Sequence, residues 1–143
     1  MEVKKMATVK TADLIAKFQH ALNDHWGYIL NTAGEKWTQA KQNATKIETA
    51  QLYGQKWVGH YVSDCSGLFS WAFNQLGGYM YHGSNTMWNK YCTAKGDLSG
   101  GKRTDGQELK PGTAVFVLKN GNDRSHVGLY IGDDKVIEAA STQ

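Results

Sequence analysis

Pro111 is the only proline in this 143-residue chain, and the sequence pattern changes across it. Before it, apolar residues recur at helical spacing. After it, β-branched and aromatic residues come in short runs divided by turn signals. Helices first and consecutive strands last predict an α+β fold whose strands form an antiparallel meander.

The first helix is predicted over residues 11–25, capped by Thr11. Ala12, Leu14, Ile15, Phe18, Ala21 and Leu22 form one apolar stripe, and Trp26-Gly27 ends it. Asn31–Gly34 reads as a loop. One or two helices are expected between Glu35 and Tyr53, with Trp37, Ala40, Ala44, Ile47, Ala50 and Leu52 on one face. A further helix is predicted over 65–76. Ser63 or Asp64 caps it, Leu68, Phe69, Ala72, Phe73 and Leu76 form its buried face, and Gly77-Gly78 stops it. Residues 79–106, rich in Gly, Ser, Asn and Tyr, read as an ordered loop region with a short helix around Thr86–Cys92. Strands follow at Thr113–Lys119, His126–Ile131 and Lys135–Ala139. Asn120–Asp123 and Gly132-Asp133-Asp134 supply the turns.

Composition narrows the function classes. Hydrophobic residues make up 41% and charged residues 20%, which describes a globular chain, here divided into a tail over 1–10 and one domain over 11–143. A net charge of +3 without a concentrated basic stripe argues against nucleic acid as a partner. No apolar run approaches the roughly 18 residues of a membrane span, and no secretion signal follows Met1–Met6. Two cysteines are too few for a disulfide framework, so both read as thiols, with Cys92 a small hydrophobe. No cofactor or metal is expected.

The chemistry centres on Asp64-Cys65-Ser66-Gly67-Leu68. At the first turn of a helix, unpaired backbone N–H groups and the helix dipole favour a thiolate. The same N–H groups can hold an oxyanion, and Ser66 and Gly67 are small enough to admit a substrate carbonyl. On a strand, His126 shares a face with Gly128 and Tyr130, opposite Val127, Leu129 and Ile131. Gly128 leaves space beside the imidazole, which suits His126 as a general base. Glu138, on the next strand, is the candidate to orient it. A strict two-residue turn at Asp133-Asp134 would pair Leu129 with Glu138 and put the carboxylate on the wrong face. A one-residue longer loop or a bulge would repair the register. Tyr79, Tyr81, His82, Trp88 and Tyr91 are expected to line a groove.

Asp-Cys-Ser-Gly-Leu at 64–68, Leu-Lys-Pro-Gly before a strand, Ser-His-Val-Gly-Leu-Tyr-Ile-Gly at 125–132 and a final hydrophobic strand ending in Glu-Ala resemble the NlpC family. These are papain-like cysteine peptidases that cut bacterial peptidoglycan stem peptides. The resemblance covers roughly residues 11–140. It implies a papain-like fold, Cys65 as nucleophile, His126 as base and Glu138 at the third position, where the family often has histidine. It implies peptidoglycan stem peptides as substrate, cut between D-γ-glutamate and a diamino acid, and action at the bacterial cell wall, in the manner of a prophage lysin. An N-acetylmuramoyl-L-alanine amidase and a catalytically silent wall-binding or phage-tail module are the alternatives. Asp64 and Ser66 match positions that help bind the stem peptide's amino end, and Ser125 joins them as a substrate-binding candidate. The stretch Tyr28-Ile29-Leu30-Asn31-Thr32-Ala33-Gly34, following Trp26-Gly27, resembles in degraded form a segment whose tyrosine lies near the oxyanion, so Tyr28 is the candidate there, with Tyr53 and Tyr61 as rivals. Family members usually continue with further strands after the third catalytic position. A truncated sheet with an open edge, prone to pairing with a second chain, is therefore expected.

Overall fold

In the computed structural model, which describes residues 8–140, helix α1 spans Thr11–Asn23 and buries Leu14, Phe18 and Ala21. Thr11 is its first residue rather than its cap: Lys10 holds the capping position and gives no side-chain bond. The helix covers its whole apolar stripe but ends at Asn23, short of the predicted residue 25, where His25 adopts a left-handed backbone (φ 53°). That turn sends Trp26–Tyr28 back across the molecule. Residues 1–7 of the expected tail and the last three residues lie outside the described part.

The stretch expected to be loop and then helix opens instead with a strand. Strand β1 (Ala33–Lys36) pairs antiparallel with β2 (Tyr61–Ser63), Ala33 opposite Ser63 and Lys36 opposite Tyr61. Two short helices, α2 (Gln39–Ala44) and α3 (Glu48–Tyr53), and a 3₁₀ turn at Gly54–Trp57 lie between them. Only a partner distant in sequence gives residues 33–36 their extended form, so local pattern could not reveal it. Ile29, Trp37, Ala50 and Val62 form a small core of their own under this layer.

Helix α4 (Cys65–Gln75) begins at an Asp64 cap whose carboxylate accepts the Gly67 N–H at 2.7 Å. It ends as Gly77-Gly78 predicts. Gly77 takes φ 78°, its N–H bonds the Asn74 carbonyl, and the Gly78 N–H bonds the Phe73 carbonyl at 2.8 Å. Next come a short helix α5 (Ser84–Thr86), continued by a π-helical turn over Met87–Tyr91, and a two-residue hairpin, β3 (Leu98–Ser99) and β4 (Lys102–Arg103).

The C-terminal sheet is the predicted meander: β5 (Ala114–Asn120), β6 (Asp123–Gly132) and β7 (Lys135–Ile137), all antiparallel. Helices α1 and α4 pack on it. Leu14, Phe18, Leu68, Phe69, Ala72, Val127, Leu129 and Ile137 fill the main core, and Phe18 meets Phe69 edge-on at 4.8 Å. The helices and antiparallel sheets together make an α+β fold.

Two irregularities in β6 position the site. Val117 pairs with His126 and Leu118 with Arg124, leaving Ser125 as a bulge. At the other end Asp133 and Asp134 both have positive φ (53° and 58°), the conformation of a tight hairpin turn. Gly132 pairs with Lys135 but Tyr130 with Val136, so Ile131 is extra and Leu129 pairs with Ile137. This is the register repair that the face of Glu138 requires. Gly128 is needed as well. A Cβ there would lie 3.3 Å from Glu138 Cβ and closer still to Val136.

Candidate active site

Cys65 sits half-buried as the first residue of α4. The N–H of Gly67 goes to the Asp64 carboxylate and that of Leu68 to the Asp64 carbonyl. The N–H groups of Cys65 and Ser66 remain as the open donors of this turn. Gly67 is required by a close crossing. The segment through Thr32 passes over the first turn of α4, where the Thr32 carbonyl accepts the Asp64 N–H at 3.0 Å. A Cβ on Gly67 would collide with that same carbonyl oxygen.

His126 comes from β6. Its Nε2 donates to Glu138 Oε2 at 2.8 Å. Hydrogen bonding to the Cys65 side chain, and secondarily to Glu138, raises the imidazole from the ordinary histidine range to about 9 against the opposing effect of burial. Groups from the start of α4, from β6 and from just after β7 thus act on one imidazole, the carboxylate through a hydrogen bond and the thiol through its effect on proton affinity.

Tyr28 is half-buried nearby. The Gly27 N–H bonds the Tyr61 carbonyl at 2.9 Å, and the Ser63 N–H bonds the Gly27 carbonyl at 3.1 Å. Gly27 thereby forms a parallel bridge to Val62, next to the nucleophile turn. Burial, then the proximity of Cys65 and Asp64, pushes the Tyr28 hydroxyl up to about 12. It stays protonated at all working pH and is a neutral O–H donor beside the thiol. Of the rivals, Tyr61 stacks on Trp26, and both Tyr53 and Tyr61 are exposed.

Asp64 is buried and binds three donors. Oδ1 accepts the Gly67 N–H and His82 Nε2 (2.6 Å), and Oδ2 accepts the Asn31 N–H (2.8 Å). Ser66 is buried in the first turn of α4. Ser125 is exposed at the bulge beside His126. The contact of His82 with Asp64 was missed by the sequence reading, which placed His82 only in a groove-lining loop. No local signal separates it from the chain's other histidines. Tyr79, Tyr81 and Tyr91 stand exposed around it, with Tyr79 and Tyr91 rings 6.2 Å apart.

A cleft beside the site is lined by Trp26, Tyr28, Trp57, Ser63, Leu68 and Glu138, among others. Among the described residues no cluster of His, Cys, Asp or Glu has the arrangement to hold a metal ion, and no helix is long and apolar enough to cross a membrane.

Curated relatives include a probable endopeptidase of Mycobacterium bovis and one of Mycobacterium tuberculosis, each 29% identical over 108 residues. The alignment takes in 76% of this chain and 24% of each relative, so the chain spans about a quarter of the length of the relatives it matches. No solved structure matches significantly. The model of the NlpC/P60 family matches residues 52–143, a stretch that contains Asp64, Cys65, Ser66, Ser125, His126 and Glu138 but begins after Tyr28. That match covers more than half of the sequence, and the chain belongs to the NlpC/P60 family.

Proposed function

We propose that residues 11–143 form a cysteine peptidase domain that hydrolyses peptidoglycan stem peptides at the bond between D-γ-glutamate and a diamino acid. Family membership and the probable-endopeptidase names of the relatives support a peptidase. One observation carries the cysteine mechanism: His126 stands between the Cys65 thiol and the Glu138 carboxylate.

In this reading the Cys65 sulfur attacks the amide carbonyl, with its proton held on His126. The N–H groups of Cys65 and Ser66 and the Tyr28 hydroxyl receive the developing oxyanion. The imidazolium then gives its proton to the leaving amine, and the C–N bond breaks to leave a thioester on Cys65. Water, deprotonated by His126, attacks the thioester and restores the thiol. Glu138 holds the ring through Nε2 and stabilises its charged form. The substrate lies at the bacterial cell wall, and Asp64, Ser66 and Ser125 border its path.

The test is mass spectrometry of muropeptides incubated with the wild-type chain and with Cys65→Ala. Fragments ending in free D-glutamate from the wild type alone are expected. Released intact stem peptides would instead indicate an amidase. No cleavage by the wild type would overturn the enzymatic reading in favour of a silent module.

A further inference from the structure

Of Tyr79, Tyr81, His82, Trp88 and Tyr91, which the sequence placed along a groove, only Trp88 lines a cavity of about 420 Å³ bounded by the β3–β4 hairpin and the strand pair β5–β6. A volume of that size accommodates a small organic molecule. Trp88 belongs to the π-helical turn over Met87–Tyr91. Its neighbour Met87 is buried in the main core, so the turn anchors one side chain inward and gives the next to the cavity. Phe116 meets the Trp88 ring edge-on at 5.4 Å, and Leu98, Leu109 and Leu118 add apolar wall.

The Ser125 bulge brings charge to this wall. Val117 pairs with His126 and Leu118 with Arg124, so the extra residue turns Arg124 to the face of Leu118 and Phe116, away from His126. The backbone there is pinned independently of the side chain. Asn85 Oδ1 accepts the Arg124 N–H at 2.7 Å, and the Arg124 carbonyl accepts the Ser84 hydroxyl at 2.5 Å. The half-buried guanidinium lies against the Trp88 ring, with Cζ 3.9 Å from its centroid, and Lys95 Nζ lies 5.4 Å from the same centroid. Among the described residues no carboxylate pairs with Arg124. Its hydrogen bonding is one long contact, Nη1 to the Asn122 carbonyl at 3.4 Å. The acids nearby are turned elsewhere: Asp123 accepts from Asn85, and Asp105 accepts from Arg103. Asp97 is the cavity's one acidic lining residue, against Lys95, Arg103 and Arg124. A partly desolvated cation with four of its five N–H donors unused is costly, and an oxyanion relieves that cost.

We propose that this cavity is a second ligand site, separate from the thiol, that takes a small amphipathic anion: a carboxylate or phosphate carried on an apolar body. The oxyanion docks on Arg124 and Lys95, and the apolar body lies against Phe116, Leu98 and Leu118. Stacking on Trp88 holds the guanidinium in place before the ligand arrives, which reduces the entropy lost on binding. The site goes beyond the peptidase reading and stands without it, because Cys65, His126 and Glu138 take no part in lining the cavity.

The experiment is an NMR titration that follows the Trp88 indole N–H, assigned through Trp88→Phe, in the wild type, Arg124→Gln and Lys95→Gln. The probes are benzoate, phenyl phosphate, benzyl alcohol and inorganic phosphate. Benzoate or phenyl phosphate should bind the wild type and shift the Trp88 resonance, and the tighter of the two identifies the oxyanion. Benzyl alcohol and inorganic phosphate each lack one half of the ligand and should bind at least about tenfold more weakly. Arg124→Gln should weaken binding of the acid about tenfold or more, and Lys95→Gln by less, each with the thermal melt of the wild type. Lys95 is exposed, so its variant reads the site without touching the fold. Affinity should also fall as salt rises. Benzyl alcohol binding as tightly as the acids, acid binding unchanged in both variants, or no binding of either acid would overturn the proposal.

Discussion

Two imidazole–carboxylate pairs flank the start of α4, and they are built for different work. In the His126–Glu138 pair the carboxylate side chain is 47% exposed and the imidazole 22% exposed. In the His82–Asp64 pair the order reverses, with the carboxylate side chain 6% exposed and the imidazole 32%. Among the described residues Glu138 has one hydrogen-bond partner, His126. Asp64 has three. An exposed carboxylate on a short strand can tune a ring without holding the fold together. A buried one that collects donors from α4, from the loop before β1 and from the segment after α4 is structural, because its removal leaves those donors unpaired. The same chemical pair fixes structure at Asp64, and under the proposed mechanism it moves protons at His126.

Variants break this comparison in a definite order. Cys65→Ala removes the nucleophile and should lower peptide cleavage by at least about 10³-fold while leaving the thermal melt near that of the wild type. Residual cleavage near the wild-type rate would move the chemistry elsewhere. Glu138→Gln comes next. It keeps the shape but not the charge, and should lower kcat by about 10²-fold with little effect on stability. Asp64→Ala should show the opposite profile. It removes a helix cap, worth about 1–2 kcal/mol, and leaves buried N–H groups unsatisfied, so chemical denaturation should show a loss of about 2 kcal/mol or more. If Glu138→Gln and Asp64→Ala proved equally destabilising, the contrast between the pairs would fail. Gly67→Ala belongs with Asp64→Ala, since the added methyl presses on the Thr32 carbonyl and overpacking costs about 1–3 kcal/mol.

The pH dependence sharpens the same contrast. His126 has its proton affinity raised by folding. Its contribution to stability is therefore fully present below the unfolded value of about 6.5 and is lost as pH rises through about 9. The leaving amine needs the same proton, so kcat should fall on the alkaline side with a midpoint near 9. A rate that stays flat to pH 10 would separate the imidazole from the chemistry. Tyr28, held to about 12, should contribute no limb below that. Tyr28→Phe is then expected to lower kcat about tenfold or more at every pH, the smallest effect among these site variants.

Legibility in the sequence followed the range of the interaction. The apolar stripe of α1, the glycine stop of α4 and the turns of the meander are local, and residue type dictates each. The meeting of His126 and Glu138 could be anticipated because alternation along β6 put His126 and Gly128 on one face, and either a bulge or a longer loop would bring Glu138 there. The location of the bulge at Ile131 required the paired backbone. Strand β1 was hidden because Ala-Gly-Glu-Lys has little strand preference of its own and depends on Tyr61–Ser63. The bridge that delivers Tyr28 follows a left-handed turn at His25, a conformation uncommon for any non-glycine residue and so not legible at one position. The contact between His82 and Asp64 joins a loop to a cap, and neither carries a periodic signal. The mismatch at Thr11 is smaller: the helix starts at its best capping side chain instead of just after it.

The most direct test of the central claim, that His126 links Cys65 to Glu138, is an NMR titration of the His126 imidazole in the wild type, Cys65→Ala and Glu138→Gln. The account predicts a midpoint near 9 in the wild type that falls in both variants, further in Cys65→Ala. A midpoint near 6.5 that is the same in all three proteins would contradict it.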